Sequence, residues 1–109
     1  MVDFSKIRFD DASVKDVRIS QSIVEVDYAD WQERLHTLQF NNAISCFILA
    51  AHGKELSHGQ IEDNGEYLRE CCEVAEEDSA EQYRLFNFID AWNGRKILRI
   101  VAEEVIEKS

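Results

Sequence analysis

Apolar and polar side chains alternate between residues 17 and 28. Val17 and Ile19 are set against Arg18 and Ser20, then Val24, Val26 and Tyr28 against Glu25 and Asp27. A strand turns successive side chains to opposite faces, so a period of two specifies strands with one wet face and one buried face. Ser20, Gln21 and Ser22 lie between the two runs and supply the turn of a hairpin. Residues 35–40, closing on Leu38 and Phe40, read as a third strand, and Asn41 with Asn42 provides turn chemistry after it. Residues 44–49 are apolar on both faces, which predicts a central strand covered on both sides.

From 50 to 65 the pattern dissolves into His, Gly, Lys, Ser and Asn, with Gly53, Gly59 and Gly65 as breakers, and a long surface loop is expected there. Residues 67–77 fit two periods. Leu68, Cys71, Cys72 and Ala75 have helical spacing, Leu68, Cys72 and Val74 fit one strand face, and the Glu, Leu, Arg and Ala content favours helix. Tyr83, Leu85, Phe86 and Phe88 read as strand, and Asn93-Gly94 is a hairpin turn. In the last segment, 96–106, Ile97, Val101 and Val105 suit a helix, whereas Leu98, Ile100 and Ala102 alternate. A turn after a strand favours a returning strand, so strand is expected. The sum is a mainly β fold: about seven short, mostly antiparallel strands in a curved sheet or two-layer sandwich, with one short helix. The alternative is α+β.

At 109 residues and 45% apolar content, with two Trp, three Tyr and six Phe, the chain reads as a single domain, 1–109, whose core needs neither metal nor disulfide. Proline is absent, which removes stiff linkers and polyproline ligands. The three cysteines, Cys46, Cys71 and Cys72, are odd in number and two are adjacent, so reduced thiols are expected. There is no run of eighteen apolar residues and no basic start followed by an apolar signal core. A cytoplasmic protein is the expectation.

The net charge is −10, and its distribution matters more than its size. Between residues 62 and 81 stand Glu62, Asp63, Glu66, Glu70, Glu73, Glu76, Glu77, Asp78 and Glu81, opposed by Arg69, a local charge of −8. Such a segment repels phosphate backbones and anionic lipid and speeds encounter with a cationic surface. A basic protein is therefore the expected partner, and neither nucleic acid nor membrane is. The bland alternative is a solvated face that keeps a small protein soluble.

Motifs that carry chemistry do not emerge. His52, His58, Cys71 and Cys72 have poor spacing for a zinc tetrahedron, and neither CxxC nor HExxH occurs. The acidic surroundings of Cys71 and Cys72 favour neutral thiols over nucleophilic thiolates. With no GxSxG, P-loop or GxGxxG in the chain, no catalytic residue, cofactor or metal is expected. Trp31 and Trp92 stand out because each has an acid nearby, Asp30 and Asp90, at an expected strand end. A Trp in a small domain usually joins the core. Exposed and rimmed by carboxylates, it would instead suit a Lys- or Arg-rich partner. The candidate partner-binding residues are accordingly Asp30, Trp31, Glu62, Asp63, Glu66, Glu70, Glu73, Glu76, Glu77, Asp78 and Trp92.

In order along the chain come Phe9-Asp10-Asp11-Ala12, the hairpin ending in Asp30-Trp31, Leu38-Gln39-Phe40-Asn41-Asn42, and Leu98-Arg99-Ile100-Val101-Ala102-Glu103. This succession resembles the small β-rich immunity proteins of bacterial toxin systems, including the partners of contact-dependent growth-inhibition toxins. The resemblance is one of general texture over most of the chain. It implies a cytoplasmic antitoxin that binds the C-terminal nuclease domain of one cognate toxin, often a basic domain, and blocks its active site without chemistry of its own. The competing expectation is a structural or regulatory domain that self-associates through a sheet edge.

Overall fold

The computed structural model describes residues 2–77 and 80–108. After a short 3-10 turn, Phe4–Lys6, come β1 (Ser13–Ser20), β2 (Ile23–Ala29), β3 (Leu35–Asn41), β4 (Ser45–Ile48) and β5 (Leu56–Glu62). The helix α1 (Glu66–Val74) follows, and β6 (Arg84–Asp90), β7 (Lys96–Ala102) and β8 (Glu104–Lys108) complete the chain. The strands form two antiparallel four-stranded sheets, ordered β1-β2-β3-β8 and β4-β7-β6-β5. This is the mainly β, two-layer arrangement that the alternation predicts, with one helix.

The early hairpin closes on Gln21 and Ser22, with Ser20 opposite Ile23 and Gln21 at φ 54. The β6–β7 connection uses Gly94 at φ 69, a left-handed value that glycine adopts without steric cost. The last segment is two strands rather than one. At Glu103 the chain leaves the second sheet, and β8 joins the first beside β3. The sheets are tied again at the far side, where Ser13 bridges Glu55.

Two expectations are corrected. The stretch 50–65 is not all loop, because β5 occupies its second half and pairs with β6, setting Gly59 opposite Phe88. Gly59 lies where the rings of Phe4 and Phe9 press against the backbone, a position that excludes a side chain rather than one that breaks a strand. The 44–49 run is not a doubly covered central strand either. Strand β4 is a sheet edge, and Phe47, Ile48 and Leu49 are 42%, 39% and 44% exposed.

The core lies between the sheets. Phe4, Phe9, Phe40, Phe86 and Phe88 pack in tilted and edge-on pairs with ring centroids 5.2–6.2 Å apart. Val14, Val26, Leu38, Leu98 and Ile100 surround them. A second cluster forms on the outer face of the second sheet, where Leu68 and Cys72 of α1 pack on Tyr83, Leu85 and Val101. That cluster fixes where the acidic segment stands.

Candidate functional site

The outer face of the second sheet carries cross-strand rows, one of them Phe47, Arg99, Asn87 and Gln60, the next Ser45, Val101, Leu85 and Glu62. Helix α1 covers the second row by burying Leu68 and Cys72 on Leu85 and Val101. With 3.6 residues per turn, Glu66, Glu70 and Glu73 then share a stripe on the side away from that buried seam. Glu66, Glu70, Glu73 and Glu76 are exposed and make no ion pair among the described residues.

The C-terminus of α1 closes in a Schellman motif. Glu76 is left-handed at φ 60 and donates its N–H to the Glu73 carbonyl, and the Glu77 N–H reaches the Cys72 carbonyl. Burial, with the Glu77 carboxylate nearby, pushes the Tyr83 phenol up. Glu73 and Glu76 therefore sit at the negative end of the helix dipole, with no basic residue in the last turn to offset them. That placement costs the free fold stability.

Two other acids of the segment, Glu62 and Asp63, are engaged by bases distant in sequence. Glu62 Oε2 accepts from Asn87 Nδ2 at 2.6 Å and from Lys96 Nζ at 3.4 Å, with Arg99 at 3.9 Å. Arg99 also donates to Asn87 Oδ1 at 3.1 Å and lies 4.1 Å over the Tyr67 ring, whose hydroxyl meets Ser45 at 3.2 Å. Asp63 faces Arg84 at 3.5 Å. Glu62 and Asp63 thus belong to a charge-balanced floor, and the uncompensated acid is concentrated on α1. Asp78 lies outside the described residues.

Beside the α1 stripe opens an apolar groove of about 240 Å³ between the helix and β4, lined by Ile44, Ser45, Tyr67, Glu70, Cys71 and Val74. Phe47 of β4 is exposed on the same face of the sheet. Another cavity, of about 410 Å³, opens toward Asp3, Arg84, Glu103 and Glu104. These four are occupied by Ser5, Asp63, Asn42 and Asn41 respectively.

Trp31 and Trp92 are 60% and 83% exposed. Both stand on tight connections built around an aspartate. The Asp30 carboxylate accepts from the N–H groups of Gln32 and Arg34, and the Asp90 carboxylate from those of Trp92 and Asn93. The two acids beside the tryptophans therefore shape the turns rather than rim an anchor. Asp30 Oδ2 also meets His36 Nε2 at 2.9 Å, and His36 reaches Glu107 at 3.3 Å and stacks on Tyr28. The hydrogen bond from His36, helped by the two N–H groups, holds the Asp30 carboxyl below its ordinary range, and the same contact raises the imidazole. Burial pushes the Tyr28 phenol up to about 12.

The two tryptophan connections share one end of the sandwich. Ala29 pairs with Ser13, Ser13 bridges Glu55, and the Glu55 carbonyl accepts from Ala91. Helix α1 follows the opposite end of β5, past Glu62. The fold therefore gathers Glu66, Glu70, Glu73, Glu76 and Glu77 on one surface, and Asp30, Trp31 and Trp92 on another. Sequence reasoning missed the groove and the partners of Glu62, because Lys96, Arg99 and Asn87 come from β6 and β7.

Burial pushes the Cys46 and Cys72 thiols up, the latter aided by Cys71 and Glu77, a direction that disfavours thiolate. Among the described residues no group of three or more His, Cys, Asp or Glu side chains could hold a metal ion. No helix among them is long and apolar enough to cross a membrane. No protein-family model matches the chain, and neither a curated protein nor a solved structure is significantly similar to it.

Proposed function

We propose that this protein is a cytoplasmic immunity protein, an antitoxin that binds a basic toxin domain and covers its active site without chemistry of its own. The observation that supports this reading is the juxtaposition on one surface of an unpaired acidic stripe, Glu66, Glu70 and Glu73, with an apolar groove and the exposed Phe47 of β4. Carboxylates there stand where RNA phosphates would stand in the cleft of a basic nuclease, with Lys and Arg as their counterparts. The apolar groove supplies the desolvated contact that charge alone does not give. Long-range attraction raises the association rate, and salt screens it over a Debye length of about 8 Å at physiological ionic strength.

The test is genetic and biochemical together. The reading frame upstream is expected to encode a large secreted protein whose C-terminal domain arrests growth, and co-expression of this chain should restore growth. Reversal of Glu66, Glu70 and Glu73 to Lys should abolish protection while the circular dichroism spectrum stays that of wild type. Full protection by the reversed chain refutes the acidic interface.

One observation favours a second reading, self-association as a structural or regulatory domain: the open apolar edge of β4. Sizing the purified chain across concentrations separates the two, because a stable homo-oligomer indifferent to basic proteins belongs to this second reading.

A further inference from the structure

Four strands form the open edges of the two sheets, and three are guarded. Edge β1 carries Lys15, Asp16 and Arg18 and is bulged between Val14 and Asp16, and β8 carries Glu104, Glu107 and Lys108. Edge β5 is bulged after Leu56 and tied to β1 through the Ser13–Glu55 bridge. Charges and bulges of this kind keep other strands from adding on. Edge β4, Ser-Cys-Phe-Ile, has neither a charge nor a register shift.

The Leu49 N–H donates to the Ile97 carbonyl at 2.8 Å. Antiparallel alternation then turns the N–H and C=O of Cys46 and Ile48 away from β7 and out of the sheet. Ser45 and Phe47 point to the α1 side, where the Ser45 hydroxyl meets Tyr67. Cys46 and Ile48 point the other way, opposite Ile100 and Leu98 of the core.

We infer that β4 takes up an extended segment of the partner as a fifth, antiparallel strand, and that this segment alternates Lys or Arg with apolar residues. The inference rests on the basic-partner reading above and specifies how that partner docks. Residues opposite Cys46 and Ile48 exchange hydrogen bonds with them and cover the exposed Ile48 with apolar side chains. Residues opposite Ser45 and Phe47 lie beside α1. A Lys or Arg there lays its stem in the groove of Ile44, Tyr67, Cys71 and Val74 and brings its charge to Glu70 on the rim.

The same charge disfavours a second copy as the occupant. Two β4 strands paired antiparallel across a two-fold axis put both α1 helices on one face, with each Glu70 turned toward the shared edge. Like charges then meet where a cationic strand would find opposite ones.

The test uses the full chain and a fluorescein-labelled peptide of four Lys alternating with three Val, followed by anisotropy. The expected result is binding that weakens with salt. N-methylation of the Val residues, which face Cys46 and Ile48 in this register, should weaken it at least tenfold, whereas N-methylation of the Lys residues changes it less than threefold. Ile48→Pro, which removes an outward N–H and no bond to β7, should weaken binding of the unmethylated peptide similarly.

Equal binding of both methylated peptides overturns strand addition. If Glu66, Glu70 and Glu73 reversed to Lys then abolish binding, the acidic reading survives without it. Binding indifferent to that reversal refutes the acidic reading itself. No binding at low salt, or a homodimer that excludes the peptide, also overturns the proposal.

Discussion

Replacing Gly59 by alanine tests whether the aromatic core is seated as described. Gly59 lies in β5 opposite Phe88, and its φ is outside the left-handed region. On backbone grounds the exchange should stabilise the fold by about 0.4–1 kcal/mol, because alanine has less freedom to lose on folding. A Cβ there, however, would stand 2.6 Å from Phe4 Cε2 and 2.9 Å from Phe9 Cε2. The closer contact is about 1 Å inside the ordinary carbon separation of roughly 3.5–4.0 Å. Neither ring has room to withdraw. Both are 1% exposed, and Phe4 is held by Phe9, Phe40, Phe86 and Phe88. Overpacking of a filled core costs about 1–3 kcal/mol, so the net loss should be about 1.3 kcal/mol from the midpoints and at most about 2.6 kcal/mol. In a domain of this size the midpoint loss is a fall in Tm of roughly 5–10 °C. Urea melts of Gly59→Ala, of Phe4→Leu and of the double variant form the assay. In the Phe4→Leu background the nearer ring is gone, so the alanine penalty should shrink by about 1 kcal/mol. A Gly59→Ala chain as stable as wild type would refute the packing of Phe4 against β5.

Trp31→Ala and Trp92→Ala should each change the urea midpoint by no more than the equivalent of about 0.5 kcal/mol, because both indoles are largely exposed, and iodide should quench both readily. Asn87→Ala removes a fully buried amide that bridges Arg99 and Glu62, and should cost about 1–3 kcal/mol in the same melts. His36 has a raised folded pKa, with Asp30, Glu107 and Tyr28 around it. Its contribution should be complete below the unfolded value of about 6.5 and lost as pH rises through the folded value. Melts across that window should show this loss in wild type and not in His36→Gln. Glu73→Lys and Glu76→Lys should each stabilise the isolated chain by about 0.3–1 kcal/mol, since cations suit a helix C-terminus, while weakening capture of a basic partner.

Period-two alternation made β1, β2 and β3 legible, because each lays one face on the core, whereas β6 and β7 are largely buried on both faces and were legible from their apolar and aromatic residues and the Asn93-Gly94 turn. The signal fails where that condition fails. In β5, Ser57, His58, Gly59 and Gln60 show no apolar alternation, since Gly59 gives its place to the Phe4 and Phe9 rings, and the strand is imposed by pairing with β6. The apolar run at β4 suggested cover on both faces, yet its apolar residues border a groove and an open edge. The acidic excess at 62–81 could be counted from the sequence, but which acids are neutralised could not. Arg84, Lys96 and Arg99 reach Glu62 and Asp63 only once β5, β6 and β7 are side by side. The aspartates next to the tryptophans were visible as neighbours, whereas their work in shaping the turns depends on backbone N–H groups that only the fold brings round.

Two surfaces compete as the docking site of the proposed partner, the α1 stripe with the β4 edge and the tryptophan end. Amide hydrogen exchange of the chain alone and saturated with the basic toxin domain proposed as its partner decides between them. Slowed exchange at Cys46, Ile48 and along α1, with the connections at 30–34 and 91–95 unchanged, is the result expected. Slowed exchange confined to those two connections, with β4 and α1 as in the free chain, would contradict it.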